Sequence, residues 1–471
     1  MSDLNFLPLT AMAEQIRRRE ISARELVDAH LNQIECVNSK LNAFIHVAAD
    51  RARQEASAAD LALADGSAVG PLHGVPISIK NSIEVTGMPF EAGTRLRTGM
   101  YGKQDAVLVS RLRKAGAIVQ GVTNTPELLM AWETDNLLYG RTNNPWDPSR
   151  TAGGSSGGEA AAIASGCSAG GVGSDGGGSI REPAHFCGIC GLKPTPGRIP
   201  ATGHYPTSVG PFALLGVVGP MARTVGDVKL LFEVMQGPDD GDPGFAPVPV
   251  RWPGADELKD VRVAYFEDDG RTPVTAETRA AVQKAVEGLR NRGFRTESFR
   301  PEGLEAARQL WWQFFGVAGG MLLGPMLRGR ESQLSPILRQ FSEWVKREPV
   351  HTGETLLNAW VRRDIVRMEI LAQMREYPIL LCPVAAIPAF KHGERSWQVE
   401  GKTVEYLDAW SYCEWFNLLG FPAVVVPVGQ SPEGLPIGVQ IVGRPWEEEM
   451  VLSVAEVVEK ECGGWRIPQI S

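Results

Sequence analysis

The chain has 471 residues, 47 of them Lys or Arg and 55 Asp or Glu, for a formal charge of −8, with 43% hydrophobic and 22% charged residues. This balance belongs to a folded globular protein and excludes disordered, collagen-like and coiled-coil classes. The acidic excess, without any long basic run, argues against nucleic acid as a partner.

At the N-terminus Asp3 stands where a signal peptide wants positive charge, and no apolar core precedes Arg17-Arg18-Arg19, so a cytoplasmic location is expected. Ser22 and Glu25 have capping-box spacing, and Leu26, Ala29, His30 and Gln33 follow at helical spacing. From Pro71 the period changes to two: Val75, Ile77 and Ile79 face one way, Pro76, Ser78 and Lys80 the other, which predicts a strand ending at a lysine. A helix over 106–115 stopped by Gly116 and a strand at Ala117, Ile118 and Val119 continue the alternation. Residues 153–178 are rich in Gly and Ser, yet the Ala-rich stretch 159–164 is helix-compatible, so this is no linker. The best apolar stretches, such as 211–220, are short and broken by Gly or Pro, and no membrane span is expected. A surface excursion is expected near 237–256, then a strand at 261–266, a helix at 276–292, a helical segment near 303–375, and buried strands at 379–381, 423–426 and 439–442. The order predicts an α/β fold over 1–471: a single large domain with a mixed central β-sheet covered by helices. Seven scattered cysteines read as reduced, mostly buried thiols.

A catalytic serine needs a base and backbone N–H donors aimed at a developing oxyanion, so serine beside consecutive glycines is a candidate nucleophile. Two segments qualify: Gly153-Gly154-Ser155-Ser156-Gly157-Gly158 and Asp175-Gly176-Gly177-Gly178-Ser179-Ile180-Arg181. Either alone reads as a tight turn. Joined to the Lys80 segment, to Gly121-Val122-Thr123-Asn124-Thr125-Pro126-Glu127, to Phe186-Cys187-Gly188-Ile189-Cys190-Gly191-Leu192-Lys193-Pro194-Thr195 and to Gly434-Leu435-Pro436-Ile437-Gly438-Val439-Gln440, they resemble the amidase signature family over nearly the whole chain.

The resemblance implies a Ser-cisSer-Lys triad: Ser179 as nucleophile, Ser155 as bridging serine after a cis Gly154-Ser155 bond, and Lys80 as base. It also implies an oxyanion hole from the N–H groups of Gly176, Gly177, Gly178 and Ser179, and the family's α/β fold. A lysine can act as base near neutrality only if burial disfavours its charge. Ser156, Asp175 and Arg181 are expected to brace this machinery, and Leu129, Met130 and Trp132 to line an apolar or aryl pocket. The Trp311-Trp312-Gln313-Phe314-Phe315 run reads as core packing or as further pocket wall. Three positions depart from the family pattern: Gly176 where Thr or Ile is usual, Ala152 where Pro is common, and Asn81 where Asp often follows the lysine. Gly176 puts substrate scope in question.

Gly171-Val172-Gly173-Ser174-Asp175-Gly176 matches a dinucleotide fingerprint, but more glycine follows it, so no such cofactor is expected. Cys187 and Cys190 have no second pair or histidine spacing to form a metal site, and neither metal nor cofactor is implied. The expected reaction is hydrolysis of an amide C–N bond of a small, apolar or aryl substrate through an acyl-serine, with ester and carbamate bonds open to the same attack. Three rivals stand beside it: a glutaminase of the glutamyl-tRNA amidotransferase type, which works with companion subunits; an α/β-hydrolase built on Gly153-Gly154-Ser155-Ser156-Gly157 with His351 or His392 as base; and a non-catalytic binding protein on the same fold. A homo-oligomer is compatible with the sequence, which leaves the physiological substrate and stereochemistry open.

Overall fold

The computed structural model describes residues 4–470, so Asp3, on which the N-terminal reading rests, lies outside the described residues. Short apolar runs between Gly and Pro turns become the strands β1 Phe44–Val47, β2 Pro76–Lys80, β3 Ile118–Thr123, β4 Gly170–Asp175, β5 Cys190–Lys193, β6 Val217–Ala222, β7 Arg262–Tyr265, β8 Arg295–Ser298, β9 Ile379–Pro383, β10 Ser396–Val399, β11 Lys402–Glu405, β12 Ala423–Gln430 and β13 Pro436–Gly443. Eleven of them form one mixed sheet in the order β1-β3-β2-β4-β6-β5-β12-β13-β9-β7-β8, and β10 and β11 pair separately. The pairs β2 with β3, β2 with β4, β7 with β8 and β7 with β9 are parallel. Strands β2, β3, β4, β9 and β13 are buried at every position, because helices cover both faces of the sheet.

The helix Ala23–Leu41 starts at the expected capping box, with Ser22 and Glu25 satisfying each other's backbone donors. The Ala-rich stretch becomes the helix Gly157–Ala164, buried along its whole length between strands. Residues 237–254 contain neither helix nor strand, and helices Leu304–Trp312, Gly319–Leu327, Pro336–Lys346 and Gly353–Gln373 dominate the segment beyond 303.

The expectation of no membrane span needs one correction. The run Leu304–Leu327 is long and apolar enough to cross a bilayer by length and composition, because the helices either side of a π-helical turn at Gln313–Ala318 join end to end. In this fold 44% of that window is buried, with Trp311 and Phe314 in the core.

The parallel pairing of β2 and β4 brings the candidate site residues together. Ile79 stands opposite Val172, so Lys80 at the end of β2 and Ser174 and Asp175 at the end of β4 emerge along the same edge of the sheet. The loops after both strands meet there, the usual place for a site on parallel strands. Ile441 in β13 is fully buried. Ile441→Ala is expected to cost about 2–5 kcal/mol of stability, seen as a lower denaturation midpoint, while the folded variant keeps its activity per active site.

Candidate active site

Lys80 has no exposed surface. Its Nζ lies 2.7 Å from Ser155 Oγ, 2.9 Å from Ser156 Oγ and 3.0 Å from Ser174 Oγ. Burial drives its pKa well below the ordinary lysine value, although the charges of Asp175 and Glu159 pull the other way. Glu159, on the buried helix, accepts from Ser78 Oγ at 2.5 Å and Thr123 Oγ1 at 2.6 Å, tying β2 to β3 beside the lysine. Burial pushes the Glu159 carboxyl up to about 7, with these hydroxyls and Lys80 limiting the rise.

Ser155 and Ser156 end the glycine loop that leads into the helix Gly157–Ala164, and the Gly154–Ser155 peptide is cis. Gly154 N–H donates to Glu182 Oε2 at 2.9 Å, and Thr125 Oγ1 donates to the Ser155 carbonyl at 2.8 Å, so the loop is held from both sides. Ser156 does more than brace. Besides contacting Lys80, its Oγ donates to the Ser174 carbonyl at 3.2 Å. Ser179 sits on the turn after β4, 9% exposed, and shares a cavity with Ser155 and Ser174. The Ser155 and Ser179 hydroxyls are not hydrogen-bonded to each other; catalytic hydrogen bonds often tighten only when substrate is bound.

Asp175 organises the turn. It accepts from the Gly178 and Ile180 N–H groups at 2.7 and 3.1 Å, and from Arg181 through Nε at 3.0 Å and Nη2 at 3.1 Å, all buried. Burial alone would raise its carboxyl; the Arg181 charge and hydrogen bonds, Lys193 and the Gly178 N–H together hold it below the usual carboxylate range. Arg181 reaches on to Asn417 Oδ1 at 2.5 Å and Gln440 Oε1 at 3.0 Å, anchoring the turn to the C-terminal half of the sheet.

This geometry corrects two sequence expectations. The Gly178 N–H is engaged by Asp175, so the free backbone donors at the turn reduce to Gly176, Gly177 and Ser179, which have no protein acceptor among the described residues. Gly178 has φ +112°, and a Cβ there would stand 2.9 Å from that of Cys413, so glycine serves the turn's shape rather than donation. Trp132 is the second. It does not line the cavity, because its indole N–H donates to the Gly177 carbonyl at 2.9 Å and its ring stacks on Trp410.

Leu129 and Met130 do line the cavity, which measures about 60 Å³. Sequence reasoning missed much of the remaining wall: Leu128, His204, Phe212, Leu215 and Val217. Of the aromatic run, Trp311 clamps the Gly176 carbonyl at 2.8 Å and Phe315 faces the cavity. A Cβ on Gly176 would come within 3.1 Å of the Phe315 ring, so the departure at 176 admits that ring to the cavity shared with Ser179.

The histidines considered as bases lie elsewhere. His351 contacts Thr355 and the Gln313 carbonyl, His392 the Pro148 carbonyl, and neither lines the cavity. His204, which does, has both ring nitrogens engaged, by Ser82 Oγ at 3.3 Å and the Pro206 carbonyl at 2.9 Å. The Ser-Asp-His rival therefore loses its base.

The Amidase family model matches residues 25–452. This chain belongs to the amidase signature family. It is 34% identical to the indoleacetamide hydrolase of Bradyrhizobium diazoefficiens over 96% of this chain and 86% of that protein. It is equally similar, at 34%, to a glutamyl-tRNA(Gln) amidotransferase subunit from Synechococcus, over 97% of each. A bacterial aryl acylamidase superposes with a TM-score of 0.85 at 25% identity, over 98% of this chain and 97% of that one. The chain is thus an amide-hydrolysing enzyme on the large α/β fold of that family.

A lowered lysine pKa has a testable sign. Between the folded pKa of Lys80 and its unfolded value near 10.5 the unfolded chain binds more protons, so this group makes stability rise with pH through that window. Lys80→Met removes the group. The stability difference between the methionine variant and the native chain is expected to favour the variant near neutrality and to shrink as pH climbs toward 10.5, read from unfolding midpoints of both proteins.

Proposed function

We propose that the chain hydrolyses the C–N bond of a small carboxamide with an apolar or aryl acyl group, through an acyl-Ser179 intermediate, using Lys80 as base and Ser155 as proton bridge. The observation that carries this reading is the buried Lys80 amine with three hydroxyls around it. A neutral amine offers two N–H donors and one lone pair, so three hydroxyls satisfy it when one of them donates. Ser156 directs its proton to the Ser174 carbonyl, which leaves Ser155 or Ser174 as donor, and Ser155 makes the shorter contact. Ser155 then takes the proton of Ser179 as its oxygen attacks the carbonyl carbon, and the reverse relay protonates the departing amine. Water repeats the sequence on the acyl-enzyme.

The Gly176, Gly177 and Ser179 N–H groups are the donors for the oxyanion. Each such donor contributes about 2.7–4 kcal/mol to the transition state in comparable sites. Their aim is held from behind by the Trp311 and Trp132 indoles on the Gly176 and Gly177 carbonyls. The apolar wall of Leu128, Leu129, Met130, Phe212 and Phe315 supports a compact acyl group, in keeping with the aryl acylamidase and indoleacetamide hydrolase among similar proteins. Esters and carbamates with the same acyl shape are open to the same attack.

A fluorophosphonate probe is expected to label Ser179 and no other serine, with loss of activity. Ser155→Ala is expected to lower kcat about 10²- to 10⁴-fold, in the range of a lost proton-transfer step, and Ser179→Ala to abolish burst acylation. In a turnover screen, anilides and arylacetamides should exceed glutamine. Preference for glutamine, or activity that appears only with companion subunits and tRNA, would move the assignment to the amidotransferase type.

A further inference from the structure

On the far side of Trp311 lies a second depression, a cleft of about 700 Å³ that shares no lining residue with the catalytic cavity. Trp311 and Phe315, stacked at 4.6 Å and 14°, form the partition between the two. We propose that this cleft binds a small arylalkyl amine as its ammonium ion, the ring against Trp344 and Tyr406 and the nitrogen on the carboxylate of Glu414.

Glu414 is only 2% exposed, lines the cleft, and its carboxyl makes no hydrogen bond or ion pair among the described residues. A buried acid without a partner is costly, and a ligand that supplies a donor or a positive charge removes that cost. Burial holds its carboxyl well above the usual range, against the opposing charge of Arg308. The other charges at the cleft favour a cation over an anion. Arg308 is paired with Glu305 at 3.1 Å and Asp408 at 3.4 Å, and Arg395 with Glu133 at 2.8 Å, so their charge is already answered. Arg347 is exposed at the edge, and the acids Glu348, Glu405 and Asp408 also face the cleft.

The walls supply the aromatic half of the recognition. Trp344 and Tyr406 lie 5.8 Å apart at 32°, and Trp312 lines the same cleft. Such rings bind a flat apolar group; the Arg395 guanidinium already lies over the Tyr406 ring, 5.0 Å from its centre, so Trp344 is the ring left to favour a further cation. This inference goes beyond the reading of the reaction and does not depend on which amide is cleaved.

The test is calorimetric titration of the full-length chain with benzylamine, with benzoate as the anionic control. One benzylamine site is expected in the native protein and, unchanged, in Ser179→Ala. Glu414→Gln should weaken binding about tenfold or more, the loss of a charge-assisted contact, and Trp344→Ala should weaken it independently, which decides the matter if the Glu414 variant fails to fold. Absence of benzylamine binding to the native protein, equal affinity in folded Glu414→Gln, or tighter binding of benzoate would overturn the proposal.

Discussion

A buried amine whose charge is disfavoured by desolvation is the constraint around which the rest of the structure is arranged. Lys80 ends a strand buried at every position, and no solvent reaches it. An ammonium there would need compensation that three neutral hydroxyls do not supply, so desolvation outweighs the pull of Asp175 and Glu159. Those two acids are themselves diverted. Asp175 is matched to Arg181 and to backbone donors, and Glu159 to Ser78 and Thr123, so neither forms an ion pair with the lysine. These pairings leave the Lys80 amine with hydroxyls around it and no direct counter-ion.

The second arrangement is the turn carrying Ser179. Free N–H groups serve an oxyanion only if they keep their aim before the charge develops. Asp175 holds this turn from inside through Gly178, while Trp311 and Trp132 hold its carbonyls from outside. Arg181 carries the restraint across the domain to Asn417 and Gln440, over 200 positions away in sequence. The tryptophans thus contribute indole hydrogen bonds where their bulk alone would read as core or pocket wall.

The cavity beside Ser179 is assembled differently. Its wall comes from the turn at 128–130, the segment 201–218 and the π-helical turn that bears Phe315. These lie outside the motifs that carry the family resemblance, apart from the residues at the serines. Similar proteins are named for indoleacetamide, aryl acylamide and tRNA chemistry, so membership of the family leaves the substrate open.

The helix at Ala23–Leu41, strands β2 and β3, and the candidate residues Lys80, Ser155 and Ser179 were legible in the sequence, because capping spacing, period-two alternation and local motifs are written in neighbouring residues. Strand β4 was not. Its Gly170–Asp175 sequence has low strand propensity; it is a strand because it pairs with β2 on one side and β6 on the other, and Gly171 is needed there because a Cβ would stand 1.9 Å from Glu159 Oε1. The same limit hid the capture of the Gly178 N–H by Asp175 and the turning of Trp132 away from the cavity, and left Phe315 open between core and pocket wall. By itself the sequence determined the family, the class of fold and which side chains are the candidates for the chemistry. Only tertiary structure decided which N–H groups stay free, which aromatic rings line the cavity and how far the lysine is desolvated, since each depends on contacts between segments remote along the chain.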